Sequence, residues 1–180
     1  MEHLHAPWRM AYIGGEQPPG CLFCRLLAAP ISEDEANLLV ARLPGALVVL
    51  NRFPYNSGHV MIAPTIHRRD LADLLPDQAS ALMTALQRTL RLLRQELEPD
   101  GFNVGINVGR VAGAGIPDHV HIHAVPRWAG DTNFMPVLAE TKVVNEHLDA
   151  TWRKLRDAFA AGRDLSGGGV AEGEIEPGDQ

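Results

Sequence analysis

Seven residues, His119-Val120-His121-Ile122-His123-Ala124-Val125, set the tightest condition on any fold this chain can adopt. In an extended strand successive side chains alternate, so the three imidazoles go to one face and Val120, Ile122 and Ala124 to the other. Neighbours on the same face start about 7 Å apart, which makes the rings a row. The apolar face can serve a core. Burying three polar rings requires a partner for every ring nitrogen, a costly arrangement for a purely structural role. Isolated histidines such as His3, His5 and His147 carry no such implication. Two chemistries suit the row. It can hold a catalytic metal with an open position, or one neutral imidazole can act as a nucleophile while its neighbours donate hydrogen bonds to a phosphate. The loop just upstream favours the second, because Gly109, Gly113 and Gly115 permit a backbone that closes on a ligand and turns N–H groups inward.

The remaining pattern supplies a scaffold for that strand. Short apolar runs from Asn37 to Arg42, Ala46 to Asn51 and Gly58 to Ala63 read as strands separated by Pro44-Gly45 and by Pro54-Tyr55-Asn56-Ser57-Gly58. Connections that short favour antiparallel neighbours. Pro76 suits the first position of a long helix, and Leu82, Leu86, Leu90, Leu93 and Leu97 follow at helical spacing until Pro99-Asp100-Gly101. Strands from Phe102 to Val108 and Val120 to Val125 come next. A last amphipathic helix runs from Asn145 to Ala160, with Leu148, Trp152, Leu155 and Phe159 on one stripe. The expectation is an α+β domain: an antiparallel sheet of about five strands with a long central helix and a C-terminal helix. Residues 1–20 read as irregular, 21–162 as the folded domain, and 163–180 as an acidic, glycine-rich tail with too little apolar content to order itself.

Charge narrows the partners. The 180 residues carry a formal charge of −6, but Asp164, Glu172, Glu174, Glu176 and Asp179 lie in the tail, and the rest is near neutral. Such a body has no general field for nucleic acid, so an anionic ligand must be held by a few directed groups. No run reaches the length of a membrane span and the start lacks a secretory pattern, so a cytoplasmic protein is expected. The two cysteines, Cys21 and Cys24, exclude a disulfide framework. Their spacing suits inert packing, a redox dithiol, or half of a zinc site.

The segment from His119 to Val125 resembles the signature of the histidine triad family. The likeness extends upstream through Asn51-Arg-Phe-Pro-Tyr-Asn-Ser-Gly-His59-Val-Met-Ile-Ala-Pro64 and Gly101-Phe-Asn-Val-Gly-Ile-Asn107-Val-Gly109. Downstream, Pro126-Arg-Trp-Ala-Gly-Asp-Thr-Asn-Phe134 is similar to the subgroup with diadenosine tetraphosphate phosphorylases and related hydrolases. The resemblance implies a nucleotidyl hydrolase or transferase acting on dinucleoside polyphosphates. His121 would attack the α-phosphorus to form a nucleotidyl-histidine, with His123 and His59 contacting phosphate or orienting the site. Asn51 would bind ribose, and Asn107 and Gly115 phosphate. Leu22 and Phe23 would line the base pocket or belong to plain core, and Arg127 would contact phosphate or form a surface pair. It further implies that Cys21, Cys24, His67 (in Pro64-Thr-Ile-His67) and His119 hold a structural zinc, and that copies pair as a homodimer enlarged by Trp8 and Trp128. Alternatives within the resemblance are a nucleoside phosphoramidate hydrolase and a non-catalytic purine-nucleotide-binding module. Ala114-Gly115-Ile116 departs from an expected Gly-Ser pair, and the missing hydroxyl favours hydrolysis over phosphorolysis.

Overall fold

The computed structural model describes residues 19–131 and 147–162. The start before residue 19, with Trp8, the 163–180 tail, Thr132 to Phe134 of the downstream motif, and Asn145 and Glu146 of the expected last helix lie outside them. The elements are α1 (Leu22–Ala28), β1 (Leu39–Leu43), β2 (Ala46–Leu50), β3 (Val60–Pro64), α2 (Pro76–Leu97), β4 (Gly101–Ile106), β5 (Ile122–Arg127) and α3 (Leu148–Ala160). All strands among the described residues pair antiparallel in one sheet of order β1-β2-β3-β5-β4. The α+β expectation therefore holds, with its long central helix and C-terminal helix.

β2 and β3 are buried along their whole length because both faces of the sheet are covered. On one face Val48, Leu50, Val60, Ile62, Ile122 and Ala124 pack against Leu82, Leu86 and Leu93 of α2 and Trp152 and Leu155 of α3. Each such leucine contributes about 1.5–3 kcal/mol by leaving water. The other face carries Leu39, Leu47, Val49, Met61 and Ala63 against Phe23 and Leu26 of α1. A register shift between Leu39 and Ala41 turns Leu39 to the α1 face while Val40 and Ala41 join the α2 face. Gly58 precedes β3 with φ +71, and a Cβ there would collide with Leu97 and press on Pro126. Glycine is needed on both counts.

α1 has no counterpart in the sequence reading. Seven residues give no helical period to detect, and its position is fixed from elsewhere. Arg42 of β1 donates from Nη1 to the Leu27 carbonyl and from Nη2 to the Leu26 and Ala29 carbonyls, closing the helix's C-terminal end. The same Nη2 lies 2.8 Å from the buried carboxylate of Asp34. A half-buried arginine fork on a buried carboxylate thus orients the element that carries Phe23 and Cys24.

Of the two strands near the histidines, β4 ends two residues earlier than expected and β5 keeps its expected length but is displaced two residues toward the C-terminus. β4 and β5 pair only as far as Ile106 opposite Ile122, so β4 stops before Asn107 and β5 begins after His121. Val120 N–H donates instead to the Arg68 carbonyl at 2.7 Å, which carries the backbone away from the ladder.

Candidate active site and metal centre

The departure of the chain before β5 divides the histidines between two jobs. His123 sits in the strand, opposite Met61 and Gly105, on the α1 face of the sheet. His121 lies beside it, with ring centroids 4.8 Å apart. His119 turns away, and Phe23 is wedged between it and His121 at 5.1 Å from each.

Hydrogen bonds assign the protons on these rings. A carbonyl only accepts, so His121 Nδ1 must carry the hydrogen that it donates to the His119 carbonyl at 2.8 Å. The neutral ring then has its lone pair on Nε2. Likewise His119 donates Nε2–H to the Pro64 carbonyl at 2.9 Å, leaving Nδ1 with a lone pair. His59 accepts the Tyr55 backbone N–H at Nδ1, 3.1 Å, and therefore donates Nε2–H to His123 Nδ1 at 3.0 Å. A neutral His123 in turn keeps its proton on Nε2. The Tyr55 ring stacks on His59 at 5.0 Å and 15° between planes, and Asn51 Nδ2 lies 3.4 Å from His59 Nδ1. Asn51 Oδ1 accepts from Phe53 N–H, which fixes which end of that amide faces the histidine. Burial holds the pKa of His121 below its ordinary value despite the hydrogen bond to the His119 carbonyl, so the ring is neutral at pH 7.

A cavity of about 280 Å³ opens on these groups. Its lining includes His121, His123, Asn51, Asn107, Gly115 and Leu22, so the structure brings these expected site residues together. His59 stands behind His123 and is fully buried. Phe23 is a correction: it does not line the cavity but is 1% exposed in the core beneath it. Arg127 resolves as an ion pair, 2.6 Å from Asp131, with a further bond to Asn103. The glycine loop also differs from expectation. Gly109 and Gly113 have positive φ, but the N–H groups of Gly113 and Ala114 donate to the loop's own carbonyls. Gly113, Gly115 and Ile116 still border the cavity. Asn37, Arg52, Phe53 and Tyr55 also line it and were missed. The Asn51 to Pro64 motif contained three of them, without a signal for their direction; Asn37 carried none.

The second job belongs to Cys21, Cys24, His67 and His119, whose donor atoms all lie within 4.8 Å of one another. Cys21 Sγ is 3.2 Å and Cys24 Sγ 3.8 Å from His119 Nδ1, and Cys24 Sγ is 3.3 Å from His67 Nδ1. With bonds of about 2.3 Å to sulfur and about 2.0 Å to nitrogen, tetrahedral zinc ligands sit roughly 3.3–3.8 Å apart. The donor set therefore fits a closed, structural Cys₂His₂ ion. The Pro64 carbonyl orients His119 from behind, as outer partners of metal ligands do.

Comparison with known proteins agrees with this geometry. The HIT domain family model matches residues 33–130. The chain belongs to that family. It is 36% identical over 170 residues to the AP-4-A phosphorylase of Mycobacterium tuberculosis, covering 89% of this chain and 85% of that protein. An uncharacterised HIT-like protein of Methanocaldococcus jannaschii is 29% identical over 141 residues, 76% of this chain and 98% of the relative. Among solved structures, a zinc-bound histidine triad family protein from Mycobacterium smegmatis superposes with TM-score 0.63 at 28% identity, over 81% of this chain and 97% of its own. Among the described residues no helix is long and apolar enough to cross a membrane.

Proposed function

We propose that this protein is a nucleotidyl hydrolase or transferase that cleaves dinucleoside polyphosphates of the diadenosine tetraphosphate type through His121. The observation that carries the reading is the His121 Nδ1–H bond to the His119 carbonyl, which leaves Nε2 as a lone pair beside the cavity. In the first step His121 Nε2 forms a bond to the α-phosphorus and the α–β bridging P–O bond breaks. His123 Nε2–H gives its proton to the departing oxygen, backed by His59. In the second step water or inorganic phosphate attacks the same phosphorus and the P–N bond breaks, releasing AMP or ADP. Splitting one displacement into two lowers each barrier. Asn107 and Gly115 contact phosphate, Asn51 the ribose, and Leu22 with Val49 and Met61 supplies an apolar slot for a base.

Zinc bound by Cys21, Cys24, His67 and His119 would supply structural cross-linking of α1 to the segment before β5. The chain's own contribution is that the carbonyl of His119 sets the His121 tautomer. The same reading takes the protein as a cytoplasmic homodimer. Product analysis with and without inorganic phosphate tests the reading: diadenosine tetraphosphate should yield ATP with ADP under phosphate, or ATP with AMP in its absence. Ala114-Gly115-Ile116 in the loop, which lacks a hydroxyl that would aid phosphate, favours the second; the likeness to a phosphorylase favours the first. Two ADP, or no products, would contradict the α-phosphorus mechanism.

A further inference from the structure

The cavity at His121 is small. At about 280 Å³ it lies at the lower end of ligand pockets, roughly 300–1,000 Å³, and suits one nucleoside monophosphate. On the reading above, attack at the α-phosphorus leaves a nucleoside triphosphate half of the substrate still to be placed. Its charge finds little compensation in this cavity, where the cation of the lining is Arg52, already donating to the Ala36 carbonyl.

A second recess of about 550 Å³ adjoins the first, and the two share Leu22, Gly115 and Ile116 in their walls. Arg25 and Arg69 both line it. Its carboxylate, Asp118, stands 3.7 Å from Arg69, with both side chains about two-thirds exposed (67% and 64%). A pair that long and that wet contributes little, so Arg69 exchanges it for a phosphate at small cost. Arg25 donates to the Pro19 carbonyl through Nη1, which holds the side chain on this side of α1. Guanidinium groups match phosphate oxygens bidentately, and two of them over one recess suit a chain of phosphates better than a single anion. Cys21 and His67 form part of the same wall, and a zinc with two thiolates and two neutral imidazoles adds no net charge.

We infer that the Arg25–Arg69 recess binds the polyphosphate of the leaving nucleotide, with Gly115 and Ile116 as the threshold between the two subsites. The recess thereby makes polyphosphate substrates distinguishable from nucleoside monophosphates. This rests on the proposed function for the substrate class, but its test does not require turnover. Equilibrium binding of diadenosine tetraphosphate, AMP and inorganic phosphate is measured on the zinc-loaded His121→Asn chain, with and without Arg25→Ala and Arg69→Ala together. The paired substitution should weaken the dinucleotide about tenfold and AMP less than twofold, since charged hydrogen bonds to phosphate are at stake. Arg69→Ala alone, at an exposed position, should give part of that loss and guards against a misfolded double variant. Equal loss for AMP and the dinucleotide, or no loss for either, would overturn the inference. Weakening confined to inorganic phosphate would also overturn it, by making the recess a site for the free ion. Failure of the reaction itself would show as absent products in the wild-type chain, with the binding differences intact.

Discussion

His121 owes its neutral ring to where it is buried. Its folded pKa is depressed, so the unfolded chain takes up a proton below about 6.5 that the native chain refuses. Stability associated with this ring is complete above the unfolded value and is lost as pH falls through the folded one. The acid limb of kcat/KM should accordingly lie below pH 6.5, and a pH–rate profile measures it; a limb above 6.5 would contradict a desolvated neutral nucleophile. On the proposed function His59, which bonds His123 and does not line the cavity, would act through His123, so His59→Ala should lower kcat about 100-fold with KM little changed. Steady-state kinetics separate the two parameters, and a change in KM alone would assign His59 to binding. The pairing of His121 with His123 was legible in the sequence, but the expected row of three was not kept: β5 begins only at Ile122, and His119 turns away to the cysteines. The place of Phe23 was not legible, since an aromatic residue two positions from a metal-type cysteine has the same sequence context whether it faces a ligand or, as here, two imidazoles from below.

At the scale of elements, the site depends on α1 and on the turn of chain before β5. Arg42 ties the C-terminal carbonyls of α1 to Asp34, and Arg42→Ala would leave that carboxylate with Arg156 at 3.8 Å as its remaining ion pair. We expect a loss of about 3 kcal/mol in denaturant unfolding, with activity falling as α1 loosens. The metal ties the other end. Burial, together with Cys21, raises the Cys24 thiol pKa, so ion uptake must expel its proton and weakens at low pH. Cys21→Ser or a strong chelator should release zinc and lower Tm, and kcat should drop because the His119 carbonyl is no longer held; an apo protein of unchanged Tm and kcat would count against this coupling. The strands and α2 were readable from apolar runs and leucine spacing. α1 was not, because a seven-residue helix held by a distant arginine leaves its cause in β1. The early end of β4 was equally hidden, set by Val120 bonding to Arg68 outside the sheet.

Across the whole molecule, one polar latch gathers the far end of the sheet. Asp131 accepts from Arg127 and Asn56, and Arg127 also reaches Asn103 of β4. Hydrogen bonding from Arg127 lowers the Asp131 pKa from 3.8 to about 2. The folded value is depressed, so this contribution is present above pH 3.8 and is lost as pH falls toward 2. Asp131→Asn should therefore lower Tm at pH 7, and the difference from wild type should shrink on acidification to pH 2. On the proposed function the division of labour in the fold converges on a single atom: sheet, α1 and metal centre together would present His121 Nε2 to a phosphorus. Base-quenched mass spectrometry with peptide mapping, after brief mixing with diadenosine tetraphosphate, tests that most directly. One nucleotidyl group on His121, absent in His121→Asn, is the predicted result. An adduct on another residue, or undiminished turnover by His121→Asn, would contradict it.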